Sequence, residues 1–409
     1  MKTIIILLCF LYPFVGNIFA QSKEPKFISG KPILGKAVTF NTTKVLNTKL
    51  AWSHIKDRQG NMYKVYAPKT TFSIPPFKIY KYTAAGENYL YFNSADNNIG
   101  YETSPTGMKY AFDEDANFYW QNGNQFYKLS NDGIIKKIND EATSNISTMQ
   151  DGTNATTTGR LQHFKYNPYD GFIYFTEYIY NRDGITLNGK QITDVTDMFF
   201  LRKMSTIGEI TTCKYADRNL FLETPTNIFF APNGDIIYTK AATAFGSRAE
   251  DIYRWDGKTV PVVQLKFHGG LFTGIKRDKG RWTVGDTSIA RVTANPEQII
   301  VNSKNELIIY DGNVSRFAKL SGNKVTAYSG TSNMQKVVEG ITLDAESKDI
   351  DGNAATAQFK SIGPLTIDKD DNIFFMSKIG VRKLAPNGTV TTIIKPTLKK
   401  TEKNVDEDN

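Results

Sequence analysis

An all-β fold of repeated four-stranded antiparallel sheets is predicted by three observations. First, the 409-residue chain holds no amphipathic helical stretch of useful length. Second, its apolar segments are short, rich in β-branched and aromatic residues, and separated by turn pairs such as Asn-Gly and Asp-Gly. Those pairs supply the positive φ that tight hairpins need. Third, two landmarks recur in step. The first-turn positions Asn61, Asn117, Gly171, Asp235, Glu306 and Asn372 are 56, 54, 64, 71 and 66 residues apart. The second-turn glycines Gly86, Gly133, Gly208, Gly257, Gly322 and Gly388 follow them. A supersecondary unit repeated in this way marks a repeat architecture. Six copies of a four-stranded unit predict a six-bladed β-propeller, in which each blade is covered on both faces by its neighbours.

The last copy is the clearest. Its strands read Leu365-Thr366-Ile367, Ile373-Phe374-Phe375-Met376, Val381-Arg382-Lys383-Leu384 and Val390-Thr391-Thr392-Ile393, with turns at Lys369 to Asn372 and at Pro386-Asn387-Gly388. Copies aligned with it begin near Met108, Thr226 and Gln298, and weaker ones near Trp52 and Phe164. Strands such as Ile236-Ile237-Tyr238 are apolar throughout and do not alternate, as burial on both faces demands. Ala37 to Phe40 offers an additional strand where a ring would close.

The ends of the chain read differently. Met1-Lys2, an apolar run from Ile4 to Val15, and Ala20 before Gln21 describe a secretory signal cleaved after Ala20. The run is too short to span a bilayer, and no later segment reaches that length. The expected organisation is a signal peptide at 1–20, an N-terminal segment at 21–44, the propeller at 45–394 and a charged disordered tail at 395–409. The mature chain is expected to be secreted or in the cell envelope. Cys9 lies inside the signal, so Cys213 has no partner for an intramolecular disulfide and reads as a buried, inert thiol. Asn-X-Ser/Thr sites occur at Asn41, Asn145, Asn154, Asn313 and Asn387.

Charge narrows the class of partner. Fifty basic residues against forty-one acidic ones give a formal net charge of +9, spread over the chain without the clustering that nucleic-acid binders show. Such a balance favours an anionic partner, an acidic glycan or lipid headgroup among them. No Gly-x-Ser-x-Gly elbow, phosphate-binding loop or dinucleotide fingerprint is present.

The segment Asp351-Gly352-Asn353-Ala354-Ala355-Thr356-Ala357-Gln358-Phe359, followed by Gly363 to Asp368, Asn372-Ile373-Phe374 and Val381 to Thr392, resembles an NHL repeat. Asp151-Gly152-Thr153-Asn154-Ala155-Thr156 echoes its opening. The resemblance implies a six-bladed propeller that acts as a binding platform, although secreted relatives with enzymatic activity exist. In amidating lyases of this kind, channel histidines surround zinc. The corresponding candidates here are the chain's three histidines, His54, His163 and His268. Six-bladed sugar-lactone hydrolases and arylesterases hold a divalent cation such as calcium with Glu, Asn and Asp. Glu177, Asn227 and Asp368 would be the candidates, although they hold different places in their blades. Asp151 and Asp351 read as turn caps bonding nearby amides.

Insertions give the remaining signal. Val65 to Pro76, Glu177 to Phe199 and Lys240 to Asp251 follow second strands, and Asn139 to Leu161, Leu265 to Asp286 and Ser329 to Phe359 join blades. In a propeller both kinds lie on one face, and long loops carry function more often than short ones. The Leu265 to Asp286 loop is basic, with Lys266, His268, Lys276, Arg277, Lys279 and Arg281 beside Trp282. Cations beside an indole suit a sugar or an acidic ligand. The function expected is a protein- or glycan-binding module without cofactor, using His268, Lys276, Arg277, Arg281 and Trp282. A metal-dependent hydrolase or lyase with its site in the channel is the alternative.

Overall fold

The hairpins begin with one short piece of hydrogen-bond chemistry. Asp57 Oδ1 accepts the amides of Gln59 (2.9 Å) and Asn61 (2.8 Å), while Oδ2 accepts from Asn61 Nδ2 and from the Tyr63 hydroxyl, both at 2.9 Å. Asp113 does the same with Asp115, Asn117 and Tyr119. Asn302 and Asp368 hold the amides two and four residues ahead. Between those amides the chain must pass through left-handed backbone, and Ala116, Asn305 and Asp371 do so at φ 63°, 60° and 60°. In these four sheets the first-turn landmark of the sequence is the last residue of the Asx turn, whereas the turn ending at Asp235 starts at Ala231 and is closed by backbone bonds. The second-turn glycines from Gly133 onward are left-handed too, with φ from 56° to 96°. Gly86 lies outside the described residues.

The structure, a computed structural model, describes residues 55–394 except for 68–75, 84–87, 101–107, 139–147, 158–160, 180–183, 194–197, 242–248, 267–284, 288–297, 332–336, 343–347 and a few shorter breaks. The signal, the N-terminal segment and the tail therefore lie outside it. Among the described residues there is no α-helix, and no helix long and apolar enough to cross a membrane.

Among the described residues, six antiparallel sheets of four main strands follow one another along the chain, with smaller two- and three-stranded sheets between them. The first holds Ile55–Lys56, Met62–Tyr66, Lys78–Tyr82 and Asn88–Asn93. The second holds Tyr110–Phe112, Phe118–Asn122, Gln125–Leu129 and Ile135–Lys137, and the third Leu161–Tyr166, Ile173–Ile179, Met198–Met204 and Ile210–Thr212. The fourth holds Pro225–Phe230, Ile236–Ala241, Ala249–Trp255 and Val262–Lys266. The fifth has Ile299–Val301, Leu307–Asp311, Arg316–Ser321 and Lys324–Ser329, and the sixth Thr366–Ile367, Ile373–Ser377, Gly380–Leu384 and Val390–Ile394. Gly285–Asp286 adds an outer strand to the fifth sheet, and Phe221–Glu223 pairs with the third.

The cores lie between the sheets. In the second to fifth sheets the second strand sends alternate side chains to opposite neighbours. Phe118 and Trp120 of the second sheet pack with Tyr63 and Val65 of the first, while Tyr119 between them packs with Phe175 of the third. Tyr174 then joins Ile236 and Tyr238 of the fourth sheet, and Ile237 joins Leu307 and Ile309 of the fifth. Ile308 and Tyr310 join Ile373 and Phe375 of the sixth. This is the stacking of propeller blades, and it explains strands that are apolar on both faces. Burying one such side chain contributes roughly 1.5–3 kcal/mol.

Two arginines fasten inter-sheet connections to the third and sixth sheets. Arg382, whose side chain is fully buried, reaches Asp351 at 3.0 Å, Asp349 at 3.3 Å, and the carbonyls of Ile350 and Gln358. Asp351 also accepts from the amide and hydroxyl of Thr392. Arg202 repeats the device with Asp151, Glu177 and the Gln150 carbonyl, and Thr212 Oγ1 donates to Asp151 at 2.8 Å. Asp151 and Asp351 are thus not local turn caps. They clamp a connection onto third and fourth strands, because each carboxylate meets a buried guanidinium that needs a counter-charge. The insertion Glu177 to Phe199 also differs from a plain loop. Glu177 is within a strand, and the hairpin Ile185–Leu187/Lys190–Ile192 pairs in parallel with Thr148–Met149 from the preceding connection.

Candidate axial site

Of the three histidines only His163 is among the described residues. His54, His268, Lys276, Arg277, Arg281 and Trp282 lie outside them. Glu177, Asn227 and Asp368 are not brought together. Glu177 is fully buried in the third sheet and receives Arg202 Nη1 at 2.7 Å. Asn227, in the fourth sheet, turns its Oδ1 to the amide of Ile228 at 3.0 Å. Asp368 belongs to the first turn of the sixth sheet, at the other end of the strands. Among the described residues no three His, Cys, Asp or Glu side chains gather as a set able to hold a metal ion.

What the fold does bring together is basic. The first strands of the second, third, fourth and fifth sheets approach one another in sequence, so these are the strands that converge. Lys109 immediately precedes the first of them, and its carbonyl accepts from Gln121 N. His163 and Lys165 lie on the next, and Pro225 opens the third. The pairing of Leu161–Tyr166 with Ile173–Ile179 breaks between Gln162 and Lys165, a β-bulge. Inside that bulge His163 is left-handed, φ 54°. The other left-handed residues with a side chain all lie in turns or bends among the described residues, whereas this one is inside a strand. A bulge re-aims a side chain, and bulges and left-handed non-glycine residues both concentrate at functional sites.

The re-aimed imidazole donates from Nε2 to the Pro225 carbonyl at 2.8 Å, across to the fourth sheet. The carbonyl can only accept, so Nε2 carries the hydrogen and Nδ1 is an acceptor. Burial and the charge of Lys109 hold His163 down to about 3 from 6.5, and Lys165 adds to this, while the Pro225 carbonyl works the other way. The ring is therefore neutral at physiological pH. Burial also pushes Lys109 down to about 8. Lys165 Nζ sits 4.6 Å from the centre of the Phe229 ring, a cation–π contact. All of this lies toward the start of the first strands, the end from which inter-sheet connections arrive. The site is a neutral imidazole within reach of the charges of Lys109 and Lys165.

Sequence reasoning offered His163 only as a metal ligand. It missed Lys109 and Lys165, which read as ordinary surface lysines. The one sequence signal was Lys165, at a first-strand position where other copies have Ile55, Ala111, Phe229 and Ile300.

Comparison with protein families finds no match, and comparison with curated proteins finds none. Among solved structures, virginiamycin B lyase from Staphylococcus aureus is similar over 86% of this chain and 87% of its own, at 11% identity and a TM-score of 0.39. A protein of unknown function from Bacteroides thetaiotaomicron is similar over 84% of this chain and 68% of its own, at 12% identity and a TM-score of 0.44. A gluconolactonase from Xanthomonas campestris covers 70% of this chain and 76% of its own, at 10% identity and a TM-score of 0.34. Likenesses this remote carry no argument about activity, and the architecture stands on the sheets and cores described above.

Proposed function

We propose that the chain is an exported, closed six-bladed propeller of NHL type that binds a protein or glycan ligand through its loop-bearing face. The observation that carries this reading is the axial site: a left-handed histidine in a strand, flanked by lysines, at the loop end of the converging strands. Basic residues gathered in one place favour an anionic ligand over a neutral one. Closure of the ring is supported by burial on the two faces that no sheet described so far covers. Met62 and Lys64 of the first sheet and Phe374 of the sixth are all buried. If the first and sixth sheets cover each other, these side chains have a reason to be out of water.

The binding reading is tested by screening the mature protein against glycan and protein-ligand arrays, together with a variant in which Lys276, Arg277, Arg281 and Trp282 are all replaced by Ala. Binding by the wild type that the variant loses supports it. Equal binding by both would remove the loop face from the reading. The rival, a zinc or calcium enzyme using His54, His163 and His268, draws on the open acceptor of His163. The lysines oppose it, because they would repel a dication. Metal analysis of the purified protein separates the two: stoichiometric metal, lost on substitution of those histidines, overturns the binding module.

A further inference from the structure

Few large apolar side chains stand exposed among the described residues, and three of them, Ile350, Ile379 and Ile393, are 41%, 37% and 45% exposed. The fold gathers these three at one corner of the sixth sheet, around the Arg382 clamp. Asp349 is the hub of that corner. Its Oδ1 accepts the amide of Lys360 at 3.0 Å, and its Oδ2 accepts the amide of Lys378 at 3.3 Å. Ile350 follows Asp349 in the chain, and Ile379 follows Lys378. Ile393 follows Thr392, whose amide Asp351 holds at 2.6 Å. One connection, the turn between second and third strands and the end of the outer strand are thereby drawn together at the loop-bearing end. The same hub sets lysines among the isoleucines: Lys348 precedes Asp349, and Lys360 and Lys378 carry the two amides it holds. All three lysines are exposed. Asp349 and Asp351 are both paired with Arg382, and no carboxylate of the described residues pairs with Lys348, Lys360 or Lys378.

We infer that this corner of the sixth sheet docks on a membrane surface rich in anionic lipid. Aliphatic side chains interleaved with cations suit such a surface: the first enter the boundary between headgroups and acyl chains, and the second stay among the lipid phosphates. The neutral polar groups of the corner are already bonded internally. The amide and carbonyl of Ile350 meet Gln358 and Arg382, and the amide and hydroxyl of Thr392 meet Asp351. Little is left there to read the hydroxyls of a sugar or the backbone of an extended peptide, whereas a bilayer asks only for apolar area and positive charge. Three isoleucines and three lysines give reversible attachment, far short of a spanning helix. The inference goes beyond the binding reading above and uses neither the axial site nor the basic loop.

The test is co-sedimentation of the mature protein with vesicles of phosphatidylcholine alone and of phosphatidylcholine mixed equally with phosphatidylglycerol. The anionic vesicles are expected to take up the protein, the neutral ones far less, and added salt is expected to release it. Each of Lys348→Gln, Lys360→Gln and Lys378→Gln is expected to weaken binding about fivefold, and the three together about a hundredfold. Replacing Ile350, Ile379 and Ile393 together by Ser is expected to weaken it about tenfold or more. Lys324→Gln and Ile207→Ser remove an exposed lysine and an exposed isoleucine at second turns of other sheets, and are expected to leave binding unchanged. Thermal melts establish that each variant is folded. Failure to bind anionic vesicles, equal uptake by both kinds of vesicle, or equal loss in the two control variants overturns the inference. Loss in the lysine set without loss in the isoleucine set points to a soluble anionic polymer and overturns it as well. A dimer that the isoleucine set dissociates, with no vesicle binding, makes the corner a contact between copies of this chain and likewise overturns the bilayer.

Discussion

His163 shows how much one backbone choice decides. Left-handed backbone costs a non-glycine residue about 1–2 kcal/mol, and the cost persists only where surrounding structure holds it. It also has a pH signature. In the unfolded chain the imidazole takes a proton below 6.5, whereas the folded chain holds it neutral down to about 3. As pH falls through that window the unfolded state binds more protons, so His163 contributes nothing above pH 6.5 and progressive destabilisation below it. The melting-temperature difference between His163→Asn and the wild type is expected to move in the variant's favour between pH 7 and 5. A difference that stays constant would refute the neutral ring. Cys213 is the opposite case, a reactive group made silent. It is 8% exposed, and burial pushes its thiol up to about 12. Native protein at pH 8 is expected to leave it unmodified by a disulfide reagent, with one thiol appearing only on unfolding. Rapid native modification would contradict that. Inertness was legible in the sequence because no histidine or metal-ligand partner accompanies Cys213. The histidine bulge was not, since no composition or period encodes a one-residue slip in pairing.

At the scale of an element, the two arginine clamps do what the sequence assigned to local turns. Removing Arg382 would strand Asp349, whose side chain is 2% exposed. Arg382→Met is therefore expected to cost about 3–5 kcal/mol in urea unfolding, with part restored by adding Asp349→Asn. By comparison Arg254→Met breaks the partly exposed pair with Asp235 and is expected to cost about 1 kcal/mol or less. Equal effects would show that the clamp is no more than a surface pair. The second turns give a similar contrast. Gly388 and Gly257 are both left-handed, at φ 85° and 81°. A Cβ at Gly257 meets nothing within 4 Å, but at Gly388 it would lie 2.6 Å from Ala354 Cβ and 2.9 Å from the Tyr328 carbonyl. Gly257→Ala is expected to lose about 1 kcal/mol, and Gly388→Ala about 1–3 kcal/mol more. The turns were readable because their chemistry is local. The clamps were not, because Asp351 and Arg382 meet only after the chain has returned through two strands.

For the whole molecule, the repeat runs deeper than the two landmarks. Opposite the same second-strand position in every sheet stands a basic residue of the third strand: Lys81, Lys128, Lys203, Arg254, Lys319 and Lys383, facing Tyr63, Tyr119, Tyr174, Ile237, Ile308 and Phe374. Some lie over rings, such as Lys81 at 5.5 Å from Tyr63 and Lys128 at 5.4 Å from Tyr119, and others pair with first-turn acids, such as Arg254 with Asp235. Periodicity made the strands legible from sequence, and loop length hinted at one functional face. The convergence of Lys109, His163 and Lys165 depends on how separate sheets pack, which spacing alone does not reveal. Closure has its own measurement. Spin labels on the exposed first turns, at Gln59→Cys with Asp370→Cys and at Gln59→Cys with Asn233→Cys, compare the first sheet with the sixth and with the fourth. A ring makes the first pair the shorter distance, and an open row of sheets makes it the longer.

The Asx turns carry a final consequence. Each is sealed by its own side chains, as Asp57 is by Asn61 and Tyr63, so a hairpin is secured at one end without reference to what leaves the other. Natural variation, or a protein engineer, can therefore graft new segments between second and third strands without unpicking the scaffold. Ancestral duplicates held by such small local seals would drift apart in spelling while keeping one geometry.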